Sequence, residues 1–558
     1  MRRSTTRHQS QISEPLAHFA DEYLAYLHET CPTEAAADGV HLHDDLLEDF
    51  SRSAIEARIR DLGGWARRLD GIEPSGLTRE EGLEQRMLAD RIRSRLFALE
   101  QAREWERNPL SYADTLAGSL TSQVLFPYAD ITERARRVGS KLRQTPRLLE
   151  AARQNVTDPP GLFVRVGIES FEGLLRFVER DLPRAFRDLE DMHLLGDLAD
   201  ASTDAIDALR SYIGHLRDEL APRSRASFRL GPERFAEKLR LDEGIDLPAE
   251  RLTQIALREL RATQEEFRRL AGERSGDAAA AWRKIKEKHP APAELIPTVE
   301  GQVQELLAFL RRKRLVTLPE HADVRVGPTP DFYRWTFASL WTAGPFEATR
   351  MPARYYVTNV DPSWPAERQE EHLRDFSFAT LWSMSMHEVY PGHFLQFEHL
   401  RGVASPLRKS VLFAPTSFVE GWAHYAEHVM IEQGFQRKDT EIRLGQLAEA
   451  LIRLARTIVG IRLHTEDLSV EQGVRFFRDE AYLEEGSARQ EAERGTFDPG
   501  YVLYSLGKQM LLKLRADCEA AEGDGFELRR FHDRLLGQGA LPFWMHRALL
   551  VGDGALLE

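Results

Sequence analysis

From residue 15 to about 290 the chain keeps to one pattern, with apolar residues three and four positions apart and charges between them. LAHFADEYLAYLHE, SAIEARIRDLGGWARRLDGI, EQRMLADRIRSRLFALEQAREW and DITERARRVGSKLRQTPRLLEAARQNV all carry it. That spacing predicts a succession of amphipathic helices. Pro and Gly punctuate the succession, as in PSG at 74–76, DPPG at 158–161 and LAPRS at 220–224. A longer helix is predicted after Pro248, and the composition then changes across 274–295. We place a boundary there: a helical half at 15–290 and a second half at 291–558, preceded by a polar, disordered segment at 1–14. No period of about 20–50 residues repeats, so a solenoid is not expected.

Three short β-branched or aromatic runs, 314–319, 322–328 and 353–360, are separated by Pro and Gly and predict strands. They would form a small sheet just before the most apolar helical stretch of the chain. The edge of such a sheet can pair with an extended substrate backbone or be purely structural. The fold class expected is therefore mainly α, a large multi-helix protein with a small β-sheet.

A length of 558 residues allows two or three packed units. Hydrophobic content of 42% with 29% charged residues is ordinary for a globular chain. The 75 Lys and Arg against 89 Asp and Glu leave a net charge of −14, which argues against a nucleic-acid or anionic-membrane partner. The basic run 311–314 reads as a solvated helix end, and His41 and His43 in HLHDD as solvated histidines. Cys31 and Cys518 stand at opposite ends of the chain and read as free thiols of a reducing compartment. No stretch of about 18 apolar residues and no secretory apolar run occurs, so a cytoplasmic location is expected.

The candidate chemistry lies in SFATLWSMSMHEVYPGHFLQFEH, 377–399. A His-Glu pair closely followed by a second His can offer two imidazoles to zinc, with the carboxylate left as general base toward water. Six residues separate His387 from His393. An unbroken helix would set them about 9 Å apart along its axis and about 120° around it, so the helix must bend. Pro391 lacks an N–H and its ring collides with the carbonyl of His387, while Gly392 permits the return. Glu388 is then the expected base.

HEVYPGHFLQ, followed by SFVEGWAHYAE at 417–427, resembles the signature of the DUF885 family, bacterial proteins similar to helical zinc metallopeptidases of the gluzincin type. CPTEAAADGV, LRQTPRLLEAARQN, YYVTNVD and AERGTFDPGYVLYSLGK extend the resemblance along nearly the whole chain. It implies one zinc ion held by His387, His393 and Glu420, with Tyr504 as oxyanion donor. Arg489 and Arg494 become candidates for substrate binding, and the substrate would be a peptide or related small amide. Glu420 has a competing role, because Ser417 and Glu420 also spell a capping box. His424, where the family more usually carries an apolar residue, could ligate in place of Glu420, orient it, or do neither. Glu427 and His428 suit supporting or solvated roles. Two other readings remain open: a helical binding or scaffold protein with a structural or vestigial metal site, and a di-iron site using Glu388, Glu420 and Glu427.

Overall fold

The periodic segments fold as helices in the computed structural model, which describes residues 14–275, 277–320, 323–330, 333–334 and 336–557. The segment expected to be disordered, 1–14, lies outside the described residues apart from Glu14. Side chains end the helices as the local sequence asks: Thr78 and Glu81 form a capping box at the start of Arg79–Phe97. Helix α1 (Ile131–Asn155) and helix α2 (Met192–Gly214) pack together in the N-terminal region. Helix α3 (Ala249–Ser275) matches the long helix predicted after Pro248, and helix α4 (Leu295–Lys313) ends in the exposed basic run, as expected.

The sheet has three strands, β1 (Val324–Pro328), β2 (Ala338–Trp341) and β3 (Ala353–Val357), in the order β1-β3-β2. β1 runs parallel to β3 and β2 antiparallel to it, so β2 is an edge. Two of the three predicted strands form. The run 314–319 does not: Leu315 and Val316 are buried, and Thr317 donates from its N–H and hydroxyl to Asp533 at 2.7 and 2.6 Å instead of pairing with a strand. β2 escaped the sequence reading because four residues are too short to show alternation.

After the sheet come helices α5 (Phe378–Glu388), α6 (His393–Leu400), α7 (Thr416–Glu432), α8 (Thr440–Thr465), α9 (Glu485–Phe497) and α10 (Leu503–Glu522). The expected division at 290 does not follow the packing. Leu230, Phe235 and Leu252 share a core with Phe394, Trp422 and Leu506, and α3 buries Leu260 and Phe267 against Leu447 and Leu451 of α8. Leu16 and Tyr23 likewise pack with Phe413 and Leu541. Among the described residues, Tyr112 to Leu220, joined by Leu47, build a core from the N-terminal region alone. A change of composition marks a connecting segment; it does not say against what a helix buries its apolar stripe.

His41 is also not the solvated histidine expected. Its Nδ1 is bonded to Asp44 Oδ2 at 2.6 Å, its Nε2 to Glu347, and its ring stacks on Tyr128. Cys31 and Cys518 are buried and free, as expected.

Candidate metal centre

The kink predicted at Pro391-Gly392 is present. α5 stops at Glu388, the Tyr390–Pro391 peptide is cis, and α6 starts at His393. Gly392 donates its N–H to Met386 O at 3.0 Å, and a Cβ on it would lie 1.7 Å from the carbonyl oxygen of His387. A side chain is thus excluded by the backbone it folds against. Trp422 closes the turn from α7, its indole N–H donating to the carbonyls of Pro391 and Gly392 at 2.9 and 3.2 Å. The two imidazoles end 4.7 Å apart between ring centres and nearly perpendicular, at 85°.

The third group comes from α7. Its first turn is not closed by a capping box: the N–H groups of Thr416 and Ser417 donate to the buried Glu243 carboxylate at 3.1 and 3.0 Å. That leaves Glu420 free to face the imidazoles. Its Oε2 lies 3.3 Å from His387 Nε2 and 3.5 Å from His393 Nε2. Two atoms each about 2.0–2.2 Å from one zinc at a tetrahedral angle lie about 3.3–3.5 Å apart, so these spacings fit one ion. One ligand atom from each of the three residues falls within 4.8 Å of the others. Glu420 Oε2 is buried and has no well-directed hydrogen bond among the described residues, a state open to a ligand role.

The electrostatics favour a cation at the same point. Burial alone would raise the Glu420 carboxyl, but the two imidazoles hold it well below the usual range. Burial and the Arg453 guanidinium push His387 down, yet the neighbouring Glu420 and Glu427 carboxylates carry it up to about 9. A proton there occupies the place a metal ion would take.

The other side of His387 is held by Glu427, whose Oε1 lies 2.8 Å from Nδ1. Ser383 donates to Glu427 Oε2 at 2.7 Å, and Arg453 stands 3.1 Å from Oε1. This carboxylate keeps the proton on Nδ1 and presents the Nε2 lone pair toward Glu420 and His393. Glu420 and Glu427 thus meet opposite ends of one ring, so the carboxylate-bridged arrangement of Glu388, Glu420 and Glu427 does not form. His424 does not replace Glu420: its Nδ1 lies 3.6 Å from Glu427 Oε1, beyond the cluster.

His387, His393 and Glu420 line a cavity of about 490 Å3 together with Glu388, Tyr504, Arg494 and residues 338–340 of the edge strand. α10 reaches it because Gly421 and Gly507 let two backbones meet; a Cβ on Gly421 would lie 2.6 Å from Gly507 C. The Tyr504 ring lies parallel to that of His387, 13° between planes, and its hydroxyl accepts from Arg494 at 3.4 Å. Burial and the Glu420 charge push the phenol up to about 12 against Arg494 and Arg456, so it stays protonated and can donate.

Arg489 is not part of the cavity. It is exposed on α9 and paired with Glu471 and Glu485 at 2.6 and 3.2 Å. Arg489 and Arg494 are five residues apart, about 140° around the helix, so both cannot face one cavity. Arg456 was missed by sequence reading; it lines the cavity and forms a two-pronged bond to Glu491 at 2.6 and 2.7 Å. Its sequence signal was available: Arg453 and Arg456 interrupt the mostly apolar LIRLARTIVGI at 451–461.

Over residues 32–549 the chain matches the family described as "Bacterial protein of unknown function (DUF885)". No curated protein matches it. Two similar solved structures are described as a "putative lipoprotein of unknown function from Shewanella oneidensis" and a "putative lipoprotein from Colwellia psychrerythraea". The first has 24% identity and a TM-score of 0.74, with 96% of this chain and 99% of that one covered. The second has 18% identity and a TM-score of 0.81, covering 96% and 98%. At these identities the likeness is one of fold.

Proposed function

Because the chain belongs to the DUF885 family, whose function is unknown, we propose an activity from its own site: hydrolysis of peptide or related amide bonds assisted by one zinc ion. The observation that supports this most is the convergence of His387, His393 and Glu420, with the bare Glu420 oxygen, on a cavity that also contains Glu388. Zinc held there would polarise the scissile carbonyl and make a water beside it more acidic. Glu388 takes the proton from that water and returns it to the leaving amine. Tyr504 donates to the carbonyl oxygen as negative charge develops, with Arg494 holding the phenol in place. Glu427 and Arg453 keep His387 in the tautomer that leaves Nε2 free.

The cavity volume lies in the ~300–1,000 Å3 range of small-ligand sites, which suits a short segment rather than a folded chain. Its cations are paired within the protein, Arg456 to Glu491, Arg453 to Glu449, Lys286 to Glu484 and Arg494 to Asp498, so its walls suit uncharged side chains. Edge strand β2 offers backbone groups to an extended segment. A non-catalytic structural site is the weaker reading, since Glu388 and Tyr504 face space rather than core. The cytoplasmic location expected from the sequence is kept as part of the proposal, supported by two buried free thiols.

The test is Glu388→Gln, with elemental analysis and a peptide and acyl-amide screen. The variant should keep its metal and lose about 100-fold or more in turnover. Full activity in the variant rejects Glu388 as the base.

A further inference from the structure

Beyond Glu427, on the side away from the metal cluster, α3, α7, α8 and α10 enclose a second cavity of about 200 Å3. His424, Gln446, Ser505 and Lys508 line it. The first three are 1–2% exposed, and among the described residues His424 Nδ1, Gln446 Nε2 and Ser505 Oγ have no hydrogen-bond partner. Lys508 forms no ion pair with any described residue. Arg443 is paired with Glu266 at 2.8 and 3.0 Å, and Glu259 accepts only from the neutral amide of Gln509 at 3.2 Å within this cavity.

A cation and two neutral donors therefore face one space in which no acceptor is assigned to them. Interiors rarely leave such groups bare, and an ammonium needs compensating charge as well as hydrogen bonds. The remaining wall is hydrocarbon, from Leu447, Ala450, Leu454 and Leu512. Burial pushes the Lys508 ammonium down to about 8, partly offset by Glu427 and Glu259, so it is largely charged at neutral pH.

We propose that this cavity binds a small carboxylate, its oxygens on Lys508, Ser505 and Gln446 and its short apolar body on the leucine wall. The assignment rests on this cavity alone and does not need the hydrolase reading. It has a consequence for the metal centre, because His424 touches Glu427 at 3.6 Å and Glu427 holds His387. An occupant would sit two side chains from a metal ligand.

The test uses the purified full chain, stripped of metal by chelation, titrated with sodium acetate, propionate or butyrate against sodium chloride at equal ionic strength. Thermal unfolding and calorimetry give the readout. The carboxylates should raise Tm saturably beyond chloride, because they bind the folded state only. Lys508→Met should weaken binding at least tenfold with unchanged circular dichroism, since Lys508 is half-buried and holds no ion pair among the described residues. Should that variant misfold, Ser505→Ala, which keeps the charge, should weaken binding severalfold. A response no larger than that to chloride, or one that survives in the folded Lys508→Met or Ser505→Ala protein, overturns the proposal.

Discussion

The clusters of histidine and carboxylate around His41 and around His387 are built from the same residue types and differ in which lone pairs they leave over. Around His41 both ring nitrogens are committed, one to Asp44 and the other to Glu347, while Gln123 and Arg137 supply Asp44 with further donors. The cluster joins a loop near the N-terminus to a residue 306 positions later, and it leaves no imidazole lone pair for a ligand. Around His387 one nitrogen is committed to Glu427, and the other faces His393 and an oxygen of Glu420 that nothing caps. In the first cluster both imidazole nitrogens are closed, although Asp44 Oδ1 has no hydrogen-bond partner among the described residues. The second brings three bases within reach of a common point, where a cation would suit all of them. What marks a candidate metal site is therefore the lone pairs left over, not the residues present.

The contrast can be broken most severely at Gly392. Gly392→Ala puts a Cβ where the His387 carbonyl oxygen lies, so we expect loss of metal binding and a destabilisation of about 3–5 kcal/mol in urea unfolding of the metal-free protein. Wild-type stability in that variant would mean the turn does not need the close approach.

Next in size is Glu420→Gln, which should weaken zinc binding by ~100-fold or more, measured with a competing chelator, while His41→Gln leaves it unchanged. Equal loss in both would erase the distinction between the clusters. Glu427→Gln is the intermediate case: it removes no ligand, only the carboxylate that orients one, and should cost about 10–100-fold in metal affinity.

The smallest effect is a pH dependence. Burial depresses His41, but its bonds to Asp44 and Glu347 outweigh this and raise it above its ordinary value near 6.5. A raised folded-state value contributes stability fully below about pH 6.5 and loses it as pH climbs through the folded value. The stability gap between the wild type and His41→Gln should thus narrow as pH rises from about 6 to about 9, measured without metal. A gap that stays constant or widens shows that His41 gains no proton affinity on folding.

Much of this was legible in the chain. Periodicity placed the helices, and Pro391-Gly392 between two histidines placed the bend, because both signals act within a few residues. Glu420 was legible only as a choice between ligand and cap, and the cap was removed by Glu243, 173 residues from Thr416, which takes those N–H groups itself. Arg489 and Arg494 looked equivalent until one face of α9 was turned to the cavity. The division at 290 failed for the same reason, since α3 found its partners in α8.

The sequence by itself determined helix content, the kink and the identity of two facing imidazoles, for these follow from backbone sterics and short-range spacing. Only the tertiary structure decided which carboxylate caps a helix, which orients a histidine and which is left bare. A polar atom's state depends on every partner within about 3.5 Å, and those partners come from segments far apart in the chain.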